Sequence, residues 1–305
     1  MIHNGRVHRT ASPPPAGAGR PRIPLKRTMP GTLYIVATPI GNLEDMTGRA
    51  VRTLREVDLI AAEDTRHTRK LLSHFSIATP LISYYREKET QRAAELLEQI
   101  GGGASVALVS DAGTPGISDP GAVLVRQARA AGLPIVPIPG PSALSAAVCC
   151  AGLDPGSFLF LGFAPAKRAQ RRTLLQSLKT TPYPLVFYES PHRIVSFVKD
   201  CAELLGDRVV LWAREISKLY EDIEETTLHH LAERIDGTKI RGELVLIIHP
   251  GATIQPAGGT LDEILCWYRD QTELSLKDAC RAVATDLGVG RSEVYQRALE
   301  LWQKR

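Results

Sequence analysis

Short apolar runs alternate with amphipathic stretches along most of this chain. Runs of four or five apolar residues bounded by turn residues read as buried strands, and apolar positions recurring every three or four residues read as helices. From Thr32 onward, strands are expected over 33–37, 59–62, 81–84, 106–109 and 135–138. Helices are expected between and after them: one from about Thr47, with Ala50, Val51, Leu54 and Val57 on one face, then 68–75, 93–100, 122–131 and 143–151. This alternation predicts a mostly parallel sheet with both faces covered. A second alternating block has strands over 158–161, 185–188, 209–213 and 244–248, an extra edge strand near 221–227, and helices over 168–179, 194–205 and 228–235. After a Pro- and Gly-bearing linker come three helical stretches, 261–269, 276–287 and 293–302. Ser275 and Ser292 are suited to be N-caps and Gly288 to end the middle helix. The last two helices, joined by Gly288-Val289-Gly290-Arg291, resemble a helix-turn-helix, a shape that serves equally as a packing module or a nucleic-acid contact. The expected fold class is α/β: two dissimilar α/β domains, 31–150 and 152–250, with a ligand cleft between them, then a small helical module, 260–305.

The polar punctuation between these elements carries the chemistry. Strand 106–109 runs into Ser110-Asp111-Ala112-Gly113-Thr114-Pro115-Gly116-Ile117-Ser118-Asp119-Pro120-Gly121. Ligands of open α/β sheets bind beyond the carboxyl ends of the strands. This loop holds two carboxylates among its glycines and prolines, which points to a ligand with a positively charged part. Similar strand-end loops occur at 38–42, 63–66, 139–142, 188–193, 214–215 and 242–243. No G-x-G-x-x-G follows a strand, and neither G-x-x-x-x-G-K-[ST] nor H-E-x-x-H occurs. His229 and His230 are adjacent and point apart on a helix. Dinucleotide, P-loop, zinc-protease and serine-hydrolase chemistries are therefore disfavoured, and no metal is expected.

Charge changes the picture less than the net value of +4 suggests. Residues 1–30 hold six arginines and lysines and no acid, so the remainder is at −2, close to neutral. Any nucleic-acid contact must come from local patches. Those first residues, rich in Pro, Gly and Arg, read as a disordered basic tail or as chain preceding a start at Met29. A basic arm touching RNA is the alternative. The five cysteines, Cys149, Cys150, Cys201, Cys266 and Cys280, lack C-x-x-C spacing and read as buried thiols of a reducing compartment. No apolar run approaches a membrane span and no secretory segment opens the chain, so a cytoplasmic location without membrane contact is expected.

Seven of these segments together carry a resemblance. Tyr34-Ile35-Val36-Ala37-Thr38-Pro39-Ile40-Gly41-Asn42-Leu43, Ala61-Ala62-Glu63-Asp64-Thr65-Arg66-His67-Thr68, the loop 110–121, Pro137-Ile138-Pro139-Gly140-Pro141-Ser142, Phe187-Tyr188-Glu189-Ser190-Pro191-His192-Arg193, Ala213-Arg214-Glu215 and the run 239–247 occur in an order similar to that of the tetrapyrrole methylase superfamily. More narrowly, they resemble the ribosomal RNA small subunit methyltransferase I family, 2′-O-methylases of a cytidine. The resemblance implies S-adenosylmethionine in the cleft of two unlike α/β domains, usually in a homodimer acting on small-subunit ribosomal RNA or the assembled 30S subunit.

Carried over residue by residue, it implies donor contacts from Thr38, Pro39, Ile40, Asp111, Gly113, Thr114, Pro115, Ser142 and Ala143. The second domain adds Phe187, Tyr188, Ala213, Arg214, Gly242 and Glu243. Asp111 is expected near the methionine ammonium, because a carboxylate held against the sulfonium would stabilise the ground state more than the transition state. Asp119 is expected to start the following helix. Glu63, Asp64 and His67 are the candidates for orienting or deprotonating the ribose hydroxyl; an ion pair of the two acids with Arg66 or Arg69 is the plain alternative. Cationic contacts to phosphate are expected from Arg66, Arg69 and Lys70, from Arg86 and Lys88, and from Lys167, Arg168, Arg171 and Arg172. Tyr84, Tyr85 and Tyr188 are candidates to stack a base. The rivals are a small-molecule methylase of the tetrapyrrole type, and a ligand-sensing DNA-binding regulator.

Overall fold

The computed structural model describes residues 30–153, 157–251, 260–271 and 274–302. Residues 1–29, expected to be a disordered basic tail, and most of the linker lie outside the described residues. The first sheet is built from β1 (Leu33–Val36), β2 (Leu59–Ala62), β3 (Leu81–Ser83), β4 (Val106–Val109) and β5 (Ile135–Ile138). Their order is β3-β2-β4-β1-β5 and every pairing is parallel. Strand β4 is buried along its whole length, as expected of a strand covered on both faces. Helices α1 (Gly48–Glu56) and α2 (Thr65–His74) pack on one face through Ala50, Leu54 and Leu72. Helices α3 (Glu89–Gly101) and α4 (Ala122–Ala130) pack on the other through Ala93, Leu96, Leu124 and Ala128.

The second sheet comprises β6 (Leu159–Phe163), β7 (Leu185–Glu189), β8 (Val209–Arg214), β9 (Asp222–Thr227) and β10 (Leu244–Ile248), ordered β6-β7-β10-β8-β9. Only β6 and β7 run parallel; β10 is antiparallel to both its neighbours and β9 is an antiparallel edge. One face is covered by α6 (Arg168–Ser177), α7 (Ile194–Leu205) and α8 (Leu228–Ile235). The other receives α5 (Ala143–Cys150), whose Ala147 packs with Ala151 against Val186, Leu211, Val245 and Ile247. Thus α5 follows the last strand of the first sheet yet covers the second, and holds the two sheets around one cleft.

Helices α9 (Leu261–Gln271), α10 (Leu276–Leu287) and α11 (Arg291–Trp302) enclose a small core of Leu265, Cys280, Val283 and Val294. Ser275 caps α10 and Gly288 ends it with φ 62°, as expected. Ser292 is not a cap: α11 begins one residue earlier, and the Gly290 carbonyl accepts from Val294. The cysteine expectation is also corrected. Cys201 and Cys280 are buried, but Cys149 and Cys150 are exposed. The sheet-facing side of α5 is taken by Ala147, which turns the terminal cysteines outward.

Candidate active site between the two sheets

Four strand-end loops of the first sheet are tied together by their own polar groups. Thr38 and Gly113 exchange backbone hydrogen bonds of 2.9 and 3.0 Å, and the buried Thr38 hydroxyl donates to the Ser110 carbonyl at 3.1 Å. Gly113 adopts φ 78°, a conformation that costs a side chain bearing Cβ but suits glycine. The Asp64 N–H donates to Asp111 Oδ1 at 2.9 Å, and the Thr114 hydroxyl to the Pro141 carbonyl at 3.3 Å. The loops after β1, β2, β4 and β5 therefore form one rim.

Opposite that rim, the loop after β8 is held by charge. Lys218 Nζ bonds Glu215 Oε1 at 2.7 Å and Glu243 Oε2 at 3.0 Å, and the Glu243 N–H donates to Glu215 Oε1 at 2.9 Å. Gly242 has φ 90°, and a Cβ there would sit 2.4 Å from Glu215 Cγ, so a larger residue would strain the turn and displace the Glu215 side chain. Glu215 and Ser217 take left-handed backbone, φ 52° and 68°. The same loop crosses to the first sheet's side, where Ser217 Oγ hydrogen-bonds Asp45 and Lys218 packs on Gly41.

Between rim and loop lies a cavity of about 420 Å³, within the range of small-molecule sites. Its first wall presents Ile40, Glu63, Asp111, Gly113, Thr114, Ile117, Ser118, Asp119, Ser142 and Ala143. The second presents Phe163, Tyr188, Glu189, Ser190, Pro191, Ala213, Ile216, Lys218, Glu243, Leu244 and Val245. Burial, with the nearby charges of Asp119 and Asp111, pushes the Glu63 carboxyl up to about 7. Burial also raises Asp119, against a hydrogen bond from Ser110. Glu189 is raised by burial too, and it accepts from the Ser190 N–H and from Arg193. Asp64, one residue from Glu63, goes the other way: its bonds from Arg66 hold it down at about 2. The Arg86 guanidinium donates to the Ser118 carbonyl at 3.4 Å and faces the same carboxylates.

Of the expected donor contacts, Ile40, Asp111, Gly113, Thr114, Ser142, Ala143, Tyr188, Ala213 and Glu243 line the cavity. Thr38, Pro39, Pro115 and Gly242 are not among the lining residues, although Thr38 and Gly242 lie in the loops that bound the cavity. Phe187 is a correction. It is fully buried on the α6–α8 face and packs edge-on to Phe197. Successive residues of a strand face opposite ways, so Phe187 is turned from the cavity by the alternation that brings Tyr188 to it. Arg214 likewise turns to Asp222, while its neighbour Ala213 lines the wall.

Among the expected catalytic groups, Glu63 faces the cavity. Asp64 caps α2 and pairs with Arg66, and His67 is exposed on α2. Asp119 does not start α4. The N-cap is Gly121, whose N–H donates to Glu89 Oε1 at 2.8 Å, which leaves Asp119 facing the cavity beside Asp111. Tyr84 is fully buried, with its hydroxyl on Glu89, and is unavailable to a base.

The cationic clusters divide. Arg69 and Lys70 are exposed and line a shallow groove on α2 with Arg66, Ser73 and His74. Arg86, Lys88 and Lys167 are also exposed. Arg171 is corrected: its side chain is 4% exposed and forks onto the buried Asp200 at 2.6 and 2.9 Å. Arg168 and Arg172 reach the same carboxylate, and Arg172 also Glu203. Sequence reasoning passed over Phe163, Glu189 and Lys218. Of these, Glu189 stood inside a quoted motif, one residue past Tyr188.

The family model of tetrapyrrole (corrin/porphyrin) methylases matches residues 32–232, and that of the RsmI C-terminal HTH domain matches residues 271–301. The fold is similar to that of solved structures at low sequence identity. Diphthine synthase superimposes with a TM-score of 0.57 at 16% identity, over 72% of this chain and 90% of that one. Uroporphyrin-III C-methyl transferase from Thermus thermophilus, complexed with S-adenyl homocysteine, gives 0.53 at 20% identity over 72% and 97%. Sequence relatives are nearer. Ribosomal RNA small subunit methyltransferase I of Halalkalibacterium halodurans is 43% identical over 270 residues, 87% of this chain and 93% of its own. The protein of that name from Pseudomonas aeruginosa is 44% identical, over 88% and 97%. The chain belongs to the tetrapyrrole methylases and, within them, to the ribosomal RNA small subunit methyltransferase I family.

Proposed function

We propose that this protein methylates the 2′-hydroxyl of a cytidine ribose in small-subunit ribosomal RNA, free or within the 30S subunit, with S-adenosylmethionine as donor. The observation that carries the reading is the carboxylate wall of the cavity, in a chain 43–44% identical to relatives named for that RNA. The domain division at about residue 150, a cytoplasmic location and a homodimer belong to the same proposal. Among the described residues, no helix is long and apolar enough to cross a membrane. Leu219 and Tyr220, 88% and 72% exposed on the loop after β8, offer apolar surface to a second copy. Light scattering at micromolar concentration tests the dimer.

The residues present fit the donor. Its ammonium and sulfonium are positive, and Asp111, Asp119 and Glu63 give the first wall negative character. Ala213, Leu244 and Val245 give the second wall an apolar surface for an adenine ring. Asp111 holds the ammonium end, and Tyr188 and Glu243 bound the nucleoside end. When bound, the donor supplies an electrophilic methyl group for in-line attack.

Glu63 takes the hydroxyl proton. A general base serves best when its pKa lies near the working pH, and burial has brought this carboxylate to about 7. Asp64 cannot share the task, since Arg66 occupies it. Arg86 faces Glu63 and Asp119 and offsets their charge. The test is mass spectrometry of ribosomal RNA from cells lacking the gene. One ribose methylation should vanish and return with the wild-type gene but not with Glu63→Gln; an unchanged methylation pattern overturns the reading.

A further inference from the structure

The outer surfaces of α1 and α2 share a chemistry that the cavity does not explain. Together the two helices carry six arginines and lysines and one acid, Glu56. The helices on the opposite face of the same sheet, α3 and α4, carry three of each sign. On α1 the cations are Arg49, Arg52 and Arg55, spaced by three, so they share the side opposite the buried Ala50 and Leu54. On α2, Arg66, Arg69 and Lys70 share a side in the same way. The two helices lie on the same face of the sheet, with Ala50, Leu54 and Leu72 in one core, and they are tied at their far ends, where Arg55 Nη2 donates to the Phe75 carbonyl just past α2, at 2.6 Å, and Thr79 donates to the Leu54 carbonyl.

Four of the six cations are available. All six are exposed, and among the described residues Arg49, Arg52, Arg69 and Lys70 make no ion pair. Both stripes start at the cavity rim. The loop before α1 brings Ile40 to the cavity, and the residue before α2, Asp64, is bonded to Asp111. At 1.5 Å per residue, the charges reach about 10 Å along α1, to Arg55, and about 8 Å along α2, to Lys70. The acids nearby, Glu44, Asp45, Glu56, Asp58 and Asp64, lie at the ends of the helices rather than along the stripes, and Asp45 and Asp64 are engaged by Ser217 and Arg66.

We infer that the outer faces of α1 and α2 form one cationic surface that holds the phosphate backbone of the RNA flanking the target nucleotide. The inference rests on the RNA reading above and adds Arg49, Arg52 and Arg55 to it. The exposed positions of both helices carry no apolar side chain, whereas protein interfaces are built around an apolar or aromatic core. Phosphate contacts give affinity without reading sequence, so this surface orients the strand while the cavity selects the nucleotide.

The test is the double variant Arg49→Gln/Arg52→Gln in the full chain, with 30S subunits from cells lacking the gene as substrate. Arg55 is left in place because it also holds the end of α2. Each lost phosphate contact lowers the slope of log affinity against log salt by about 0.7–0.9. The slope should fall by about 1.4–1.8 and KM for the subunit should rise at least tenfold. Donor affinity, melting temperature and the rate at saturating subunit should hold. An unchanged slope and KM, with the wild type active, overturns the surface and leaves the function standing. A raised KM with an unchanged slope, restored on naked RNA, assigns the face to a ribosomal protein and also overturns it. A wild type that methylates no ribosomal RNA overturns both.

Discussion

The two sheets of this protein treat charge differently. In the first, Arg66 pairs with Asp64 and Arg92 with Glu95, and Glu89 and Asp58 accept hydrogen bonds from the backbone, whereas Glu63, Asp111 and Asp119 face the cavity and Arg49, Arg52, Arg69 and Lys70 the solvent. In the second, Arg168, Arg171 and Arg172 converge on Asp200, Arg193 pairs with Glu189, Lys218 bridges Glu215 and Glu243, and Arg214 meets Asp222. Arginine-rich stretches that look alike in sequence thus have different tasks. A charge matched inside the fold holds geometry, and an unmatched one is left to act on a ligand or to attract one. On the function proposed above, the first sheet supplies the chemistry, and the second supplies a wall for it to work against.

The largest test of that division is Glu63→Gln. Removing a general base typically costs about 10²–10⁴ in rate. The wild-type rate should climb with pH up to about 7 and level off above, and the variant should lose that rise. Stability should move the opposite way. Because the folded-state pKa lies above the ordinary carboxylate value, the unfolded chain ionises first as pH rises, and folding is penalised progressively between about 4.5 and about 7. Denaturation at pH 8 should therefore find the Gln variant more stable than wild type, with the gap closing near pH 4.5. Equal stability at both pH values would remove the buried charge from the argument.

Asp200→Ala probes the matched side. Burial raises this carboxyl, but hydrogen bonds from Arg171, Arg172 and Arg168 outweigh that and leave it below its ordinary value. Removing it strands the buried Arg171 guanidinium, a change that costs about 3–5 kcal/mol. Urea denaturation should show that loss, while the surviving folded protein keeps its KM for donor and RNA. A folded, stable variant with weakened RNA binding would make this cluster functional after all. Stability from the pair is expected at neutral pH and should fade as acid protonates Asp200, below the ordinary carboxylate range.

Asp111→Asn asks how far the first wall's charge matters to the donor. It keeps an oxygen for the Asp64 N–H and removes one negative charge from the cavity. Charge-assisted hydrogen bonds contribute roughly 1.5–3 kcal/mol, so calorimetry should show donor affinity reduced at least tenfold. Wild-type affinity would shift the ammonium to Asp119.

How much of this could be read from residues alone differs by region in the same way. Strands β1 to β5 were legible because each is a short apolar run between turn residues, and the parallel arrangement follows from their alternation with helices. The start of α2 was missed by three residues, because Asp64 captures the helix N-terminus through the Arg66 N–H. Phe187 and Tyr188 were named together, although a strand can turn only one of them to a given face. Asp119 gave way to a cap from Glu89, 32 residues from Gly121 in the chain, and Arg171 found Asp200 29 residues away. Local pattern announces that a residue is polar. Whether its charge is matched is decided by packing between distant segments, and it is this that separates Arg171 from Arg69.

The smallest expected effect is the sharpest comparison, because it pits two surface arginines against each other. Arg168 is 70% exposed at its side chain and shares Asp200 with two better-placed partners. Exposed ion pairs contribute at most about 1 kcal/mol, so Arg168→Gln should change stability by less than that. With its charge already directed at Asp200, its loss should leave the salt slope of RNA binding unaltered. Arg69→Gln removes a charge from a side chain as solvent-facing but without an ion pair among the described residues, and should lower that slope by about 0.7–0.9. Filter binding over a range of salt, with both variants side by side, separates them. Equal slopes would mean that pairing within the fold does not decide which arginines meet RNA, and the contrast between the two sheets would fail where it is most exposed to test.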